Sequence, residues 1–225
     1  MAEAGPVNIM GAGLSGLAAA TILAKAGIEV HVHDIREESG ARFDGDFQAL
    51  ENWSMDTDFF MQMEEWGFDT SEFKATEFKV VDLIHPDDTI SQAHSPKIAY
   101  RIVERGTSSH TIDQGIKRQA LAAGANIHYK SRVKESDCQI IACGPKGTSA
   151  VAYGEIFHTT HPNHIAFQLN DKLAPGAYSY LIVIDGIGLI CTCLWRKQKK
   201  SDRFLNETIA WYDNCLLYTS PSPRD

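Results

Sequence analysis

The sequence predicts an α/β fold for about the first 150 residues of the 225-residue chain and mainly antiparallel β-structure after them. Three observations predict it. In residues 7–34 a short apolar segment, a glycine-rich turn, a helical segment and a β-branched segment follow one another. Helical and strand-like segments alternate again in residues 98–142. After residue 147, strand-like segments are separated by Pro, Gly and Asn, which is typical of antiparallel sheets.

The first segment predicts a βαβ unit. Val7–Met10 is a short apolar run that ends in glycines, as a buried parallel strand does. Residues 14–26 are rich in Ala and Leu and are followed by Gly27, which predicts a helix with a glycine at its C-terminal end. Residues 28–34 predict the second strand, joined by a right-handed crossover.

The other elements divide the chain into two predicted domains and a tail. In the first domain, residues 1–150, we predict helices at 56–66 and 111–123 and strands at 78–84, 98–103, 125–129 and 139–142. In the second, residues 151–214, we predict strands at 152–160, 165–169, 178–184 and 189–195 and a helix at 203–212.

Composition excludes some classes of function. Apolar residues make up 44% of the chain, enough for a sizeable core. The formal net charge of -8 argues against a nucleic-acid partner, whose phosphates are bound by Lys and Arg. The sequence contains no apolar run long enough to span a bilayer. The five cysteines, an odd number at irregular spacing, indicate reduced thiols and a cytoplasmic location.

The strongest motif is the glycine loop after the first strand, with Gly11, Gly13 and Gly16 in GxGxxG spacing. The first glycine allows the tight turn, the second allows a pyrophosphate to approach the backbone, and the third allows close packing of helix on sheet. Asp34, at the end of the next strand, is placed to accept hydrogen bonds from ribose hydroxyls. An acidic residue there disfavours a 2′-phosphate, and hence NADP, whereas FAD and NAD both remain open.

Several stretches resemble a bacterial flavoprotein group related to geranylgeranyl reductases and aromatic hydroxylases. Residues 34–42 are similar to the acidic-then-basic extension of flavoprotein domains, although Ala41 replaces the usual second glycine. Further matches are GARFDGDFQALENW, Arg105-Gly106 followed by TIDQ and IKRQALAAGANI, SDCQIIACGP, and LNDKLAPGAYSYLIVIDGIG.

The resemblance implies a Rossmann-like FAD-binding domain of the glutathione reductase type, with part of a mainly antiparallel β substrate domain. It implies that Arg42 and Arg105 lie near the pyrophosphate or flavin, that Val133 offers backbone contacts to adenine, and that Cys143 stands where the family has Thr. An ion pair at the protein surface is the alternative role for each arginine. The expected FAD-binding set is Gly11, Ala12, Gly13, Leu14, Ser15, Gly16, Asp34, Ile35, Arg36, Arg42, Arg105, Val133, Cys143 and Gly144.

Three functions follow as hypotheses. The resemblance implies an FAD-dependent oxidoreductase that reduces an isoprenoid-like or other apolar small molecule, or that hydroxylates one with NAD(P)H and oxygen. An NAD-dependent dehydrogenase or NAD-binding module is the second. A truncated, non-catalytic fragment is the third. No Ser, His and Asp form a recognisable nucleophile group, so covalent catalysis is not expected, and no catalytic side chain is assigned.

The end of the chain favours truncation. Residues 215–225 read CLLYTSPSPRD, which resembles a translated sequencing adapter, so we expect a non-native tail and a natural chain that continues beyond Asn214. Flavoproteins of the resembled group have a late Gly-Asp motif, whereas here Gly45-Asp46 comes early and Asp185-Gly186 has the reverse order.

Weaker signals were weighed against simpler explanations. His158, His161 and His164 have the spacing of a zinc site, but Pro162-Asn163 predicts a solvated hairpin loop instead. We interpret Cys191 and Cys193 as core residues on one strand face. The basic run of residues 196–200 could meet an anionic membrane or a diphosphate, although a solvated turn is the preferred interpretation.

Overall fold

The computed structural model describes residues 5–144 and 147–215, the last two of them by their backbone alone. The strands are β1 Val7–Met10, β2 Val30–His33, β3 Phe47–Glu51, β4 Ala75–Phe78, β5 Val80–Ile84, β6 Ile90–His94, β7 Tyr100–Glu104, β8 Asn126–His128, β9 Ile140–Ile141, β10 Val151–His158, β11 His164–Gln168, β12 Ser179–Ile184 and β13 Ile187–Leu194. The α-helices are α1 Leu14–Lys25, α2 Phe59–Glu65, α3 Ile112–Ala122 and α4 Ser201–Cys215. The expected non-native tail lies outside the described residues from position 216 onward.

The chain forms two compact units. The first consists of residues 1–75 and 102–146, and the second of residues 76–101 and 147–225, within the described parts of those ranges. Residues 76–101, predicted as part of the first domain, belong instead to the second unit. Strand β5 of this segment pairs with β11 far along the chain, and that pairing draws the segment into the second unit.

The first unit is built on a parallel sheet with strand order β8-β2-β1-β9. The predicted βαβ unit of β1, α1 and β2 is confirmed, with Ile9 of β1 in register with Val32 of β2. Buried Leu17 and Ala20 of α1 join these strand residues in one core. The chain also has a three-stranded sheet with order β3-β7-β4. The α/β class predicted from the sequence is therefore confirmed.

The second unit contains a six-stranded sheet with order β10-β13-β12-β11-β5-β6. All its neighbouring strands are antiparallel except the parallel pair β11 and β5. Leu181 and Ile190 of this sheet form a buried core with Leu205 and Tyr212 of α4. The antiparallel character predicted for this part of the chain is confirmed.

Two strands, β3 and β6, are not predicted from the sequence, for physical reasons. Every residue of β6 is exposed, so it carries no alternation of apolar and polar positions. In β3, only Phe47 is buried. The strand predicted at 78–84 is interrupted at Lys79, so that it consists of the last residue of β4 and the whole of β5. Among the described residues, no helix combines the length and apolar character needed to cross a bilayer.

Candidate functional site

The glycine loop is shaped by two positions that have no room for a side chain. Gly11 has a φ of +106°, and a Cβ there would lie 2.5 Å from the carbonyl oxygen of Ala142. A Cβ on Gly16 would lie 1.9 Å from the carbonyl oxygen of Gly11. Gly13 differs, because a Cβ there would meet no atom within 4 Å. The loop therefore packs tightly against other backbone atoms at Gly11 and Gly16, whereas no protein atom lies near the Cβ position of Gly13.

Helix α1 begins directly after this loop. Gly13 is its N-cap, with extended backbone (φ −81°, ψ 178°) and no side chain to cap the helix. The first turn contains no acidic residue that would offset the positive end of the helix dipole. Because Gly13, Leu14 and Ser15 line a cleft, the helix presents N–H groups to whatever occupies it.

Asp34 ties the end of β2 to the glycine loop. Its Oδ2 accepts a hydrogen bond from the Ala12 N–H at 2.8 Å, and its Oδ1 accepts one from the Arg36 N–H at 2.8 Å. An ionised carboxylate offers about four acceptor positions, so acceptor capacity remains for hydroxyl groups in the cleft. Asp34 therefore both orders the loop and stays available to a ligand.

The segment after Asp34 is fixed to α3. Glu38 pairs with the Lys117 ammonium at 2.7 Å, and the Ser39 hydroxyl lies 2.7 Å from the Tyr129 hydroxyl. Burial opposes ionisation of Glu38, but hydrogen bonds from Lys117 and the Ser39 N–H outweigh it and lower the pKa of Glu38. Burial raises the pKa of Tyr129 to about 12. These contacts hold the expected flavoprotein extension in one conformation.

Ala41 departs from the resembled pattern at a position that does not require glycine. The left-handed conformation falls on the preceding residue, Gly40, with φ +80°. A Cβ on Gly40 would lie 2.2 Å from the carbonyl oxygen of Gly106, so Gly40 is also the point of close approach. Gly40 alone therefore meets the need for a positive φ and for close backbone approach, and Ala41 is accommodated beside it.

Arg105 lies at the wall of the cleft but is held by partners within the protein. Its Nε and Nη2 donate to the Asp113 carboxylate at 2.8 and 2.9 Å, and its Nη1 donates to Gln48 at 2.5 Å. Its guanidinium also lies 4.1 Å from the centre of the Phe43 ring. With Arg105 and Asp113 only 12% and 1% exposed, the pair is buried, unlike the surface ion pair weighed as the alternative.

The segment that follows β9 also lines the cleft. The Ala142 N–H donates to the Met10 carbonyl at 2.7 Å, which holds this segment against the glycine loop. Cys143 and Gly144 are exposed, and Gly144 has a φ of +81°. Pro145, which ends the resembled SDCQIIACGP stretch, lies outside the described residues.

The cleft has a volume of about 1230 Å³ and lies within the first unit. Of the residues expected to bind cofactor, Gly16 alone does not line it, because that residue is buried behind the loop in α1. The others do: Gly11, Ala12, Gly13, Leu14, Ser15, Asp34, Ile35, Arg36, Arg42, Arg105, Val133, Cys143 and Gly144.

Several residues of the cleft are not predicted from the sequence. His33, Ser131 and Glu38 line it, and the His33 Nδ1 lies 2.9 Å from the Ser131 hydroxyl. His33 also packs against His128 with nearly parallel rings and centroids 4.8 Å apart. Burial, and then the neighbouring His128 and His31, lower the pKa of His33. The position of His33, directly before Asp34, was the one sequence signal for it.

Among His158, His161 and His164 in the second unit, His164 lies beside a carboxylate that the neighbouring sequence does not predict. The His164 Nε2 lies 3.4 Å from Oδ2 of Asp82 on β5, and His161 packs edge-on against His164. Burial is the main cause of a lowered pKa of His164. Among the side chains described, those of residues 5–144 and 147–213, no three His, Cys, Asp or Glu are grouped so that they could hold a metal ion.

Comparisons with known proteins agree with this geometry. A family model of NAD(P)-binding Rossmann-like domains matches residues 9–48. A hydroxysqualene dehydroxylase from Rhodopseudomonas palustris is 51% identical over 43 residues, which are 19% of this chain and 10% of that protein. Both matches are confined to a small part of the chain.

Solved structures extend the likeness to nearly the whole chain. A geranylgeranyl bacteriochlorophyll reductase-like protein from Thermoplasma acidophilum superposes with a TM-score of 0.68 and 18% identity over 96% of this chain and 63% of its own. A 2-methyl-3-hydroxypyridine-5-carboxylic acid oxygenase gives 0.61 and 15% over 95% and 67%. The myxobacterial FAD-dependent halogenase CndH gives 0.59 and 11% over 93% and 57%. The fold implied by the resemblance is thus confirmed, and the chain spans less than two thirds of the first of these structures.

Proposed function

We propose that the chain carries the ADP-binding part of the FAD site of an FAD-dependent oxidoreductase. The observation that carries this proposal is the pairing of an open Gly13 with a carboxylate, Asp34, that is fixed to the same loop. The first leaves room for a pyrophosphate at the start of a helix, and the second offers acceptors to ribose hydroxyls.

The remaining cleft residues fit the same ligand. Arg42 is exposed at the cleft and forms no ion pair with a described residue, so its guanidinium is available to phosphate oxygens. Asp34 would repel a 2′-phosphate, which favours FAD or NAD over NADP at this place. At about 1230 Å³, the cleft exceeds the usual size of a small-molecule pocket and can take an extended dinucleotide.

The chemistry would come from the flavin, with NAD(P)H as the proposed electron donor and a small apolar molecule as the proposed substrate. The structural likeness to a reductase-like protein and to an oxygenase supports reduction or hydroxylation of such a substrate. Within the second unit, Phe167 contacts the rings of Tyr100, Tyr178 and Tyr180, an aromatic surface suited to an apolar molecule. Burial raises the pKa of Tyr180, so its hydroxyl stays protonated.

We also propose a cytoplasmic location. Cys138, Cys143, Cys191 and Cys193 are all free thiols, which is the state that a reducing compartment maintains.

The test compares three glycine-to-alanine variants by titration with FAD, followed by flavin fluorescence. Gly13→Ala adds a methyl group where no protein atom lies within 4 Å, so the fold is expected to be preserved. The same methyl group narrows the approach to the pyrophosphate, and FAD binding is expected to weaken about tenfold or more. Gly5→Ala, which also meets no atom within 4 Å but lies outside the cleft, is the matched control.

Gly16→Ala provides the opposite contrast, because its methyl group collides with the Gly11 carbonyl and should destabilise the fold itself. Unchanged FAD affinity in Gly13→Ala would refute the proposed site. Binding of NADH but not FAD, abolished by Gly13→Ala, would instead assign the site to an NAD-binding module. Binding of neither dinucleotide by the unaltered chain would identify it as a fragment without a complete site.

A further inference from the structure

A second, basic pocket lies in the second unit and takes no part in the cleft. It has a volume of about 360 Å³ and is formed where the turn after β11 meets the turn before α4. We call it the lysine pocket and define it by its lining residues, which are Asp171, Lys172, Lys197, Lys200, Arg203 and Phe204.

The one carboxylate in the lining is already neutralised. Both oxygens of Asp171 accept hydrogen bonds from Nη2 of Arg196 at 2.9 Å, and Oδ1 also accepts from the Gly176 N–H at 2.7 Å. The hydrogen bond from Gly176, followed by Arg196, lowers the pKa of Asp171. Asp171 is therefore ionised and paired mainly with Arg196, with a smaller electrostatic contribution from Lys197.

The two neighbouring carboxylates on α4 are engaged as well. Asp202 interacts with the hydroxyl of Tyr153, whose pKa this contact raises. Glu207 accepts a hydrogen bond from Nε of Arg203 at 2.7 Å. The remaining N–H groups of the Arg203 guanidinium form no hydrogen bond with a described residue.

The three lysines of the pocket are only partly compensated, since Lys197 contributes to the lowered pKa of Asp171 and Arg196 is the main partner of that carboxylate. Lys172, Lys197 and Lys200 are exposed, and none of them forms an ion pair with a described residue. Lys197 is held in the left-handed region with φ 59°, where a non-glycine residue is uncommon. In a chain with a net charge of -8, this local concentration of positive charge is not explained by the overall composition.

We propose that the lysine pocket binds a phosphate-bearing anion through Lys172, Lys197 and Lys200, with Arg203 at its edge. Lysine ammonium groups act as point charges toward phosphate oxygens, and the guanidinium adds directed N–H donors. The phosphate could belong to a soluble diphosphate or to the headgroup of an anionic lipid. Trp195, 67% exposed one residue before Arg196, supplies the aromatic side chain that favours a membrane interface.

The experiment measures binding of inorganic pyrophosphate by calorimetry and of vesicles by sedimentation, at low ionic strength and with the whole chain. The vesicles consist of phosphatidylcholine with or without phosphatidylglycerol. The test variant is Lys172→Gln/Lys197→Gln/Lys200→Gln. Lys199→Gln is the matched control, because Lys199 belongs to the same exposed basic run but not to the pocket lining. Circular dichroism verifies that both variants are folded.

The expected result is saturable binding that weakens about fivefold for each lysine removed, hence roughly a hundredfold in the triple variant, and little in the control. Binding should also weaken with added salt. Binding of phosphatidylglycerol vesicles that pyrophosphate displaces would identify a lipid headgroup, and binding of pyrophosphate alone would identify a soluble diphosphate. Absence of both, or a loss of affinity in Lys199→Gln as large as the fivefold expected for each pocket lysine, would overturn the proposal. Flavin content does not enter these measurements, so they are independent of the proposed function.

Discussion

The buried pair of Arg105 and Asp113 makes the most specific prediction of the structure, which concerns stability. Asp113→Asn keeps the shape of the side chain but removes the charge that faces the guanidinium. In the native chain the Asp113 carboxylate accepts two hydrogen bonds from Arg105 and a third from the Gly106 N–H at 3.1 Å. Since Asp113 is 1% exposed, water cannot replace what is lost.

The magnitude follows from this burial. Removal of one partner from a buried ion pair leaves an uncompensated charge and costs about 3–5 kcal/mol. For a chain of this length such a loss lowers the midpoint of thermal unfolding by roughly 6–20 °C. The control is Glu37→Gln, which breaks a pair with Lys130 that is 3.6 Å long and more than 70% exposed on both sides. An exposed pair contributes about 1 kcal/mol or less.

The assay is differential scanning calorimetry of Asp113→Asn, Arg105→Met, Asp113→Leu and the double variant Arg105→Met/Asp113→Leu. The double variant should lose less than the sum of the two single losses, because it leaves no unpaired charge. A cost below about 1 kcal/mol for Asp113→Asn would refute the reasoning. Arg105 would then be a solvated cation, free to contact a phosphate as the resemblance implied.

Two further predictions concern the cleft. Asp34→Asn should weaken FAD binding about tenfold, because one acceptor for the ribose hydroxyls becomes a donor. The amide oxygen can still accept the hydrogen bond from the Ala12 N–H, but the Arg36 N–H loses its acceptor at an exposed position where water can replace it, so the free energy of unfolding should fall by only about 1 kcal/mol. Equal affinity by fluorescence titration would contradict the role of Asp34. His33 has a pKa below its ordinary 6.5, so the unfolded chain takes up that proton first and the free energy of unfolding falls as the pH drops below about 6.5. Urea denaturation at pH 7.5 and pH 5.5 should show a smaller loss in His33→Gln, and an identical loss would exclude His33 as its source.

The glycine loop could be predicted because its causes are local. The contact that excludes a Cβ from Gly16 is made with Gly11, five positions earlier, and the end of β2 returns Asp34 to the same loop. The spacing of the glycines and of Asp34 along the sequence therefore predicts most of the geometry of the glycine loop. The same holds for Thr111, whose side chain accepts a hydrogen bond from the Gln114 N–H where the predicted helix begins.

Features that rest on distant pairing were beyond the sequence. Asp82 on β5 is in register with Ala166 on β11. No local pattern in residues 76–101 predicts that β5 pairs with β11. The same pairing brings Asp82 beside His164, so a histidine expected in a solvated hairpin faces a carboxylate. Arg105 is an intermediate case: Asp113 is visible eight positions later, but only the inward face of α3 shows that the two side chains meet.

The basic run at 196–200 shows most clearly why composition alone misjudges a charged segment. As a string it forms one cluster, and a solvated turn was the preferred interpretation. In the fold its members separate: Arg196 neutralises Asp171, Lys199 lies outside the pocket lining, and Lys197 and Lys200 join Lys172 from another turn. The neighbouring carboxylates Asp202 and Glu207 interact with Tyr153 and Arg203. The remaining positive charge is therefore concentrated at the lysine pocket, which the fold assembles from two turns, and not along the basic run. Lys199→Gln and Lys200→Gln each remove one positive charge from adjacent positions, but only Lys200 lines the pocket. A larger loss of anion affinity in Lys200→Gln would therefore show that the position in the fold, and not the net charge of the run, determines binding.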